Sequence, residues 1–402
     1  MKIKDICDIN AFSISVNDGI DNIQYLDTGN LTENEIEELQ SMLLSEAPSR
    51  AQRRVKNNTI LYSTVRPNQK HFGILSNPCN NLIASTGFVT LDIKESLKNE
   101  YNAQFLYYLL TQIWVTAYLQ TLAENSVSSY PSINASDIGN LEFTFPKIEV
   151  QRQIATILKN IDDKIVLNRS INRNLEALAK QLYDYWFVQF DFPDENGRPY
   201  KSSGGKMVWN EVLKREIPEG WEVKRLGEAV EIKRGKTITE KQTSQGNVKV
   251  VAAGLDFSYY HNQSNRDAYC ITVSGSGENA GFVNFWREPI YASDCSTIQF
   301  EDVIDTLLCY YTLKMQEQRF YRISHKSAQP HILPSDIAAI PMVFPEAKVK
   351  ERIRDFFIDS NRIIELNTRE IERLTHQRDE LLPLLMNEQV EVKQLNSDLS
   401  LG

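Results

Sequence analysis

The sequence predicts an α+β protein: two globular α/β units joined by two long helices that pair as a coiled coil. Three observations carry this reading. The phrase PSINASDIGNLEFTFP, which ends at Pro146, returns later as PHILPSDIAAIPMVFP. A long heptad pattern follows each copy. The 402 residues, 42% hydrophobic and 24% charged, give a soluble composition and room for two or three cores rather than one.

The first unit is expected over residues 1–146. MKIKDICDIN lacks the apolar core of a signal peptide. The five cysteines are odd in number and form no CxxC pair, which fits a reduced, cytoplasmic setting. Residues 105–123 carry no charge. Gln112, Thr116 and Gln120 recur every four residues there, which predicts a mostly buried helix with a polar stripe rather than a membrane span. ILYSTVRPNQKHFGILSNPCNNLIAS reads as strands joined by Asn/Gly/Ser turns.

The repeat then sets the frame. Pro131, Ile133, Ser136, Asp137, Ile138, Phe145 and Pro146 recur 199 residues on as Pro330, Ile332, Ser335, Asp336, Ile337, Phe344 and Pro345. LEFTF alternates as a half-buried strand does, and each closing proline sits where a helix can begin. Ile154, Ile161, Asn168, Leu175 and Leu182 recur every seven residues, beside Ile157, Leu158, Ile165, Ile171 and Leu178. Ile353, Ser360, Asn367, Leu374 and Leu381 repeat the pattern, beside Phe356, Ile363 and Ile364. Such stripes predict a coiled coil. Asn168 and Asn367 occupy equivalent stripe positions; an antiparallel pair would bring them face to face and fix register, unless both turn to solvent at the stripe's edge. The expected segments are 1–146, a helix over 147–190, a linker over 191–220, a second unit over 221–345, a helix over 346–390 and a tail over 391–402. A weaker echo aligns Ile9 with Ile232, whereas the unit interiors show no sequence match.

The net charge of −9 argues against a uniformly basic nucleic-acid binder. Charge is nevertheless clustered. One group holds Arg50, Arg53, Arg54, Lys56, Arg66, Lys70 and His71; a second holds Lys224, Arg225, Lys233, Arg234, Lys236 and Lys241. A third holds Arg319, Arg322, His325, Lys326 and His331, and acid gathers in LTENEIEELQ. Basic clusters at related places in a repeat point to a phosphate-facing surface.

Motifs for chemistry are weak. NPCN at 77–80 has the wrong third and fourth residues for an amino-methyltransferase loop. GSGE from Gly275 lacks the Gly-Lys-Ser/Thr of a phosphate loop. Glu231-Ile232-Lys233 fits a nuclease Glu-x-Lys but has no convincing acidic partner, and the histidines lack metal-ligand spacing.

The stretch LYDYWFVQFDFPDENGRPYKSSGGKMVWNEVLKREIPEGWEVKRLGE, from Leu182, resembles the central region of type I restriction-modification specificity subunits. Trp186, Phe187, Phe190, Pro193, Gly197, Pro199, Tyr200, the SSGG run, Met207, IPEGW and Leu226-Gly227 carry the likeness. PKIEVQRQIATILKNIDDKIVLNRSINRNLEALAKQLYDYWF is similar to that family's central helix. The distal helix departs from it, lacking the Trp-Phe ending and holding Pro383. The resemblance implies that each globular unit is a target-recognition domain reading half of a split double-stranded DNA sequence. It implies helices packed antiparallel as spacer and docking platform for two methyltransferase subunits. Motor-nuclease subunits are the further partners it allows; no membrane is implied. It implies no catalysis and no cofactor in this subunit, with S-adenosylmethionine held by the methyltransferase. A coiled-coil scaffold without DNA is the alternative.

Readout needs side-chain donors and acceptors at base edges. In the first unit the candidates are Tyr62, Ser63, Arg66, Asn68, Gln69 and Lys70 around Pro67, with Ser128 and Tyr130 on a second loop. In the second they are Arg234, Lys236, Gln242, Ser274, Ser276 and Asn279, with Arg322, His325, Lys326 and Gln329 before Pro330.

Overall fold

The computed structural model describes residues 1–15, 18–125, 131–324 and 330–386. The chain divides into two compact units: Met1–Asn168 with the chain from Glu370 onward, and Arg169–Arg369. The division falls inside both long helices, so each unit owns one globular body and part of each helix.

In the first unit, the main sheet orders its strands Cys7–Ile9, Phe88–Ile93, Ile60–Ser63, Phe72–Ile74, every neighbour antiparallel. FVTLDI is buried along its whole length, as expected of a strand covered on both faces. Ile60, Tyr62, Phe72, Val89 and Leu91 share one core with Phe105, Leu106, Ile154, Leu158, Leu382 and Leu385, so both long helices close this sheet. A second sheet runs Gln40–Leu43, Asn22–Leu26, Leu82–Ser85, Ala51–Arg54, its middle pair parallel.

The uncharged stretch makes two helices, Ala103–Leu110 and Ile113–Glu124, not one. Gln112 lies at the break. Its Nε2 donates to the Leu109 carbonyl at 3.3 Å, and its Oε1 accepts from Trp114 Nε1 at 3.1 Å. The expected polar stripe therefore points inward at Gln112 and Thr116, while Ile113, Trp114 and Tyr118 are exposed. No helix among the described residues is long and apolar enough to cross a membrane.

The second unit repeats the plan. Its main sheet orders Lys233–Arg234, Cys295–Ile298, Cys270–Ser274, Val283–Trp286, again all antiparallel. A smaller sheet runs Tyr259–His261, Val248–Val251, Tyr291–Ala292, with the last pair parallel. The interiors that share no sequence thus share a topology. Residues 191–220 have structure of their own, including the hairpin Met207–Asn210 with Arg215–Pro218. Phe192 stacks between Tyr200, at 4.6 Å, and Trp221, at 5.0 Å.

LEFTF alternates buried and exposed as predicted, though only a single bridge, Lys2 to Glu142, pairs it; its counterpart Pro341–Phe344 forms a strand with Glu222–Arg225. The central helix spans Ile148–Tyr183 and ends in a π turn at Asp184–Val188. The distal helix spans Ala347–Met386 and continues through Pro383, whose missing N–H falls in the last turn. Residues 154, 158, 161, 165, 168, 172, 175, 179 and 182, spaced four and three apart, form the inward stripe of the central helix, buried or half-buried. Ile171 and Leu178, expected in that stripe, are exposed instead, as is Ile363 of the distal helix.

The two helices run antiparallel within each unit. In the first, Lys164 Nζ donates to Glu370 Oε1 at 2.6 Å and Arg378 Nη1 to Asp162 Oδ1 at 3.2 Å. In the second, Asn367 Nδ2 donates to Asn172 Oδ1 at 2.8 Å. Asn367 thus bonds one turn beyond the predicted Asn168, which is itself buried. The four–three alternation explains the change, because it puts polar Asn172 in the stripe and leaves apolar Ile171 out.

Candidate nucleic-acid interface

The two main sheets each present one hairpin loop, and the repeated proline phrase holds both. In the first unit, Ile60–Ser63 turns into Phe72–Ile74 through a 3₁₀ turn at Pro67–Gln69. The Arg66 amide donates to the Pro131 carbonyl at 3.0 Å, and the Ile133 amide to the Thr64 carbonyl at 2.8 Å. In the second, Cys270–Ser274 turns into Val283–Trp286. There the Gly277 amide donates to the Pro330 carbonyl at 3.1 Å, and the Ile332 amide to the Gly275 carbonyl at 3.0 Å. The two loops are equivalents, each clipped to the same two positions of the repeat.

They make their turns differently. Arg66 and Lys70 flank the first in left-handed backbone, φ 47° and 56°, which costs energy for residues with a Cβ. The second uses Gly277 and Gly281, φ 75° and 94°. A Cβ at Gly281 would also lie 2.4 Å from the Cβ of Phe320.

Arg66, Asn68, Gln69 and Lys70 are exposed on one loop, as a reader requires. Tyr62 and Ser63 are not readers: they belong to the strand, whose side chains enter the core. Tyr62 is 1% exposed, with its ring centroid 5.4 Å from that of Phe72, and burial pushes its phenol up to about 12. Ser63 Oγ donates to the Val65 carbonyl at 3.1 Å and accepts from its amide at 3.2 Å. Ser274 is likewise buried, its hydroxyl donating to the Gly254 carbonyl at 3.2 Å.

Ser276 and Asn279 sit half-buried on the second loop. Ser276 Oγ donates to Asp294, and Arg234 approaches the other oxygen of that carboxylate at 3.9 Å. Lys236 and Gln242 are exposed on the chain beyond Arg234; Gln242 Oε1 accepts from the Thr239 amide at 2.9 Å, closing a short turn. Arg322 is exposed on the helix Glu317–Ser324, whose Phe320 packs on Gly281. Ser128, Tyr130, His325, Lys326 and Gln329 lie outside the described residues.

Asp294, Glu33 and Gln120 touch these loops and were not foreseen. Gln120 Oε1 accepts from the Asn68 amide at 3.2 Å, and Lys70 Nζ donates to Glu33 Oε1 at 2.7 Å. No sequence signal ties them to these loops, because each contact joins residues far apart in the chain. Among the described residues, no cluster of His, Cys, Asp and Glu could hold a metal ion.

Fold and loops together define a duplicated loop-presenting protein with its two bodies carried on a pair of long helices. The chain belongs to the family described as type I restriction modification DNA specificity domain, which it matches over residues 1–177 and 218–376. It is 31% identical over 170 residues to the type I restriction enzyme HindI specificity subunit of Haemophilus influenzae, covering 42% of this chain and 36% of that protein. It is 31% identical over 192 residues to the MjaIX specificity subunit of Methanocaldococcus jannaschii, covering 48% of this chain and 40% of that one. The matches thus span well under half the length of these two relatives. The fold resembles that of a type I restriction-modification S subunit from M. genitalium, with TM-score 0.60 at 17% identity over 96% of this chain and 95% of that one.

Proposed function

We propose that the protein is the DNA sequence-recognition subunit of a type I restriction-modification complex, each globular unit reading one half of a bipartite target. The supporting observation is the pair of equivalent hairpin loops, both clipped to the repeated proline phrase. Arg66, Asn68, Gln69 and Lys70 read or position the first half-site. Arg234, Ser276 and Asn279 do so for the second, with Lys236, Gln242 and Arg322 on the surrounding surface. Arginine and lysine serve phosphates and guanine edges, asparagine and glutamine adenine edges.

The subunit is non-catalytic in this reading, and its methyltransferase partners, two per chain, bring S-adenosylmethionine. Apolar residues left exposed on the helices suit such docking: Val166 and Leu167 in the first unit, Leu178, Ile363 and Leu366 in the second. Motor-nuclease subunits complete the restriction complex. The length of the central helix sets the number of unread base pairs. The setting is cytoplasmic.

Duplex binding by the chain assembled with its methyltransferase tests this reading. Binding that depends on sequence and weakens steeply with salt is expected. Assembly with no sequence-dependent DNA binding would favour a protein scaffold instead.

A further inference from the structure

We infer that the acidic turn Glu33–Asn34 is a positioning element for the Arg66–Lys70 loop, and so shares in setting the half-site read by the first unit. This rests on the reading of that loop as a DNA contact.

Leu31–Thr32 pairs with Glu35–Ile36 in a small hairpin whose two turn residues, Glu33 and Asn34, are both left-handed, φ 45° and 69°. The turn is fastened to the neighbouring loop along its length. The Glu33 amide donates to the Lys70 carbonyl at 3.0 Å, and Lys70 Nζ returns a bond to Glu33 Oε1 at 2.7 Å. The Asn34 amide donates to the Phe72 carbonyl at 2.8 Å, while Asn34 Oδ1 accepts from the Ile74 amide at 2.7 Å. A Cβ on Gly73 would lie 2.9 Å from Asn34 Oδ1, so the two hairpins meet without slack. On another flank, Gln120 Oε1 holds the Asn68 amide at 3.2 Å.

Four non-glycine residues in left-handed backbone, Glu33, Asn34, Arg66 and Lys70, therefore share one patch. Such strain persists only where the surroundings over-determine it. At Arg66 and Lys70 the hairpin calls for a left-handed backbone but not for a side chain, since the second unit places Gly277 and Gly281 at the equivalent positions. What the strain secures is an arginine and a lysine at those two positions, aimed by fixed backbone. The acid-rich run LTENEIEELQ, which in sequence stands apart from the basic clusters, supplies the buttress.

An acid that merely repelled phosphate would act in the opposite sense, because its removal would strengthen binding to every duplex alike. The test uses the full chain assembled with its methyltransferase, and duplexes carrying the mapped target, a scrambled first half-site or a scrambled second half-site. Glu33→Ala is expected to lower the preference for the intact first half-site about tenfold. Preference for the second half-site stays unchanged, which also reports that the chain is folded. Glu33→Gln, which keeps the acceptor without the charge, restores most of the preference. Equal tightening on all duplexes after Glu33→Ala, with the first half-site preference intact, would overturn the positioning role. If Arg66→Ala with Lys70→Ala left that preference intact, the reading of the loop itself would fall.

Discussion

The two junctions between globular body and long helix occupy equivalent places and solve one problem with different chemistry. In the first unit, Gln151 is 1% exposed. Its Oε1 accepts from the Asn102 amide at 2.9 Å, and its Nε2 donates to the Glu100 and Pro146 carbonyls at 2.9 and 2.8 Å. Asn102 caps the helix Ala103–Leu110. In the second unit the corresponding residue is Lys350, and the corresponding cap of the helix Val303–Lys314 is Asp302. Lys350 Nζ reaches Asp302 at 3.2 Å and Asp305 at 2.9 Å, and Arg354 Nη2 reaches Asp302 at 3.0 Å. One joint is a neutral amide closed off from water; the other is a partly exposed ionic cluster. The repeat conserves where the helix is gripped and leaves the means of gripping open. A buried polar group is costly only when it loses its partners, whereas an ionic cluster answers to pH.

The largest effect should come from the neutral joint. Gln151→Ala leaves the Asn102 amide and two carbonyls unpaired, and should destabilise the first unit by about 3 kcal/mol in denaturant unfolding. A loss below about 1 kcal/mol would mean that water replaces the side chain there.

Next, Asp302→Asn removes the anion that faces both Lys350 and Arg354, and should cost the second unit about 2 kcal/mol. The same joint gives an acid response. The bonds from Arg354, ahead of those from the Ile304 amide and Lys350, lower the Asp302 carboxyl to about 2 from its ordinary 3.8. A carboxyl depressed by folding stabilises fully above its ordinary value, and that contribution disappears as pH falls through about 2. Wild-type stability of the second unit should therefore drop between about pH 4 and pH 2 more than that of the Asp302→Asn variant. Parallel acid curves for the two proteins would break the contrast between the joints.

The smallest effect concerns the helix pair. Asn367→Ala should cost about 1 kcal/mol by leaving the side-chain oxygen of half-buried Asn172 without its donor. Replacing Asn172 and Asn367 together with isoleucine should raise the melting temperature, because the stripe then becomes apolar at that level. An unchanged or lower melting temperature would deny the asparagine pair its cost in stability.

What sequence revealed and what it hid divides along the same physical line. The duplicated phrase, the helix starts just past Pro146 and Pro345, and most of the inward stripes were legible because they are periodic and local. Asn172 was passed over because a polar residue beside apolar Ile171 looks like the wrong stripe member. The shared topology of the two bodies was hidden. It resides in strand order and in backbone bonds to Pro131 and Pro330, which leave no residue pattern. Tyr62 and Ser63 lie one strand end short of the exposed positions: the loop carries the exposed polar side chains, and the strand that enters it carries core. The contacts that Glu33 and Gln120 make to the loop were hidden because they close gaps of 37 and 52 residues.

The central claim is that the two hairpin loops belong to equivalent, separable readers. Methylation mapping of a host that expresses the chain with its methyltransferase, before and after residues 1–144 are exchanged for the same segment of a relative, tests it most directly. The account predicts that one half of the methylated sequence changes, while the other half and the spacer stay as they were. A change in both halves, or in neither, would contradict it.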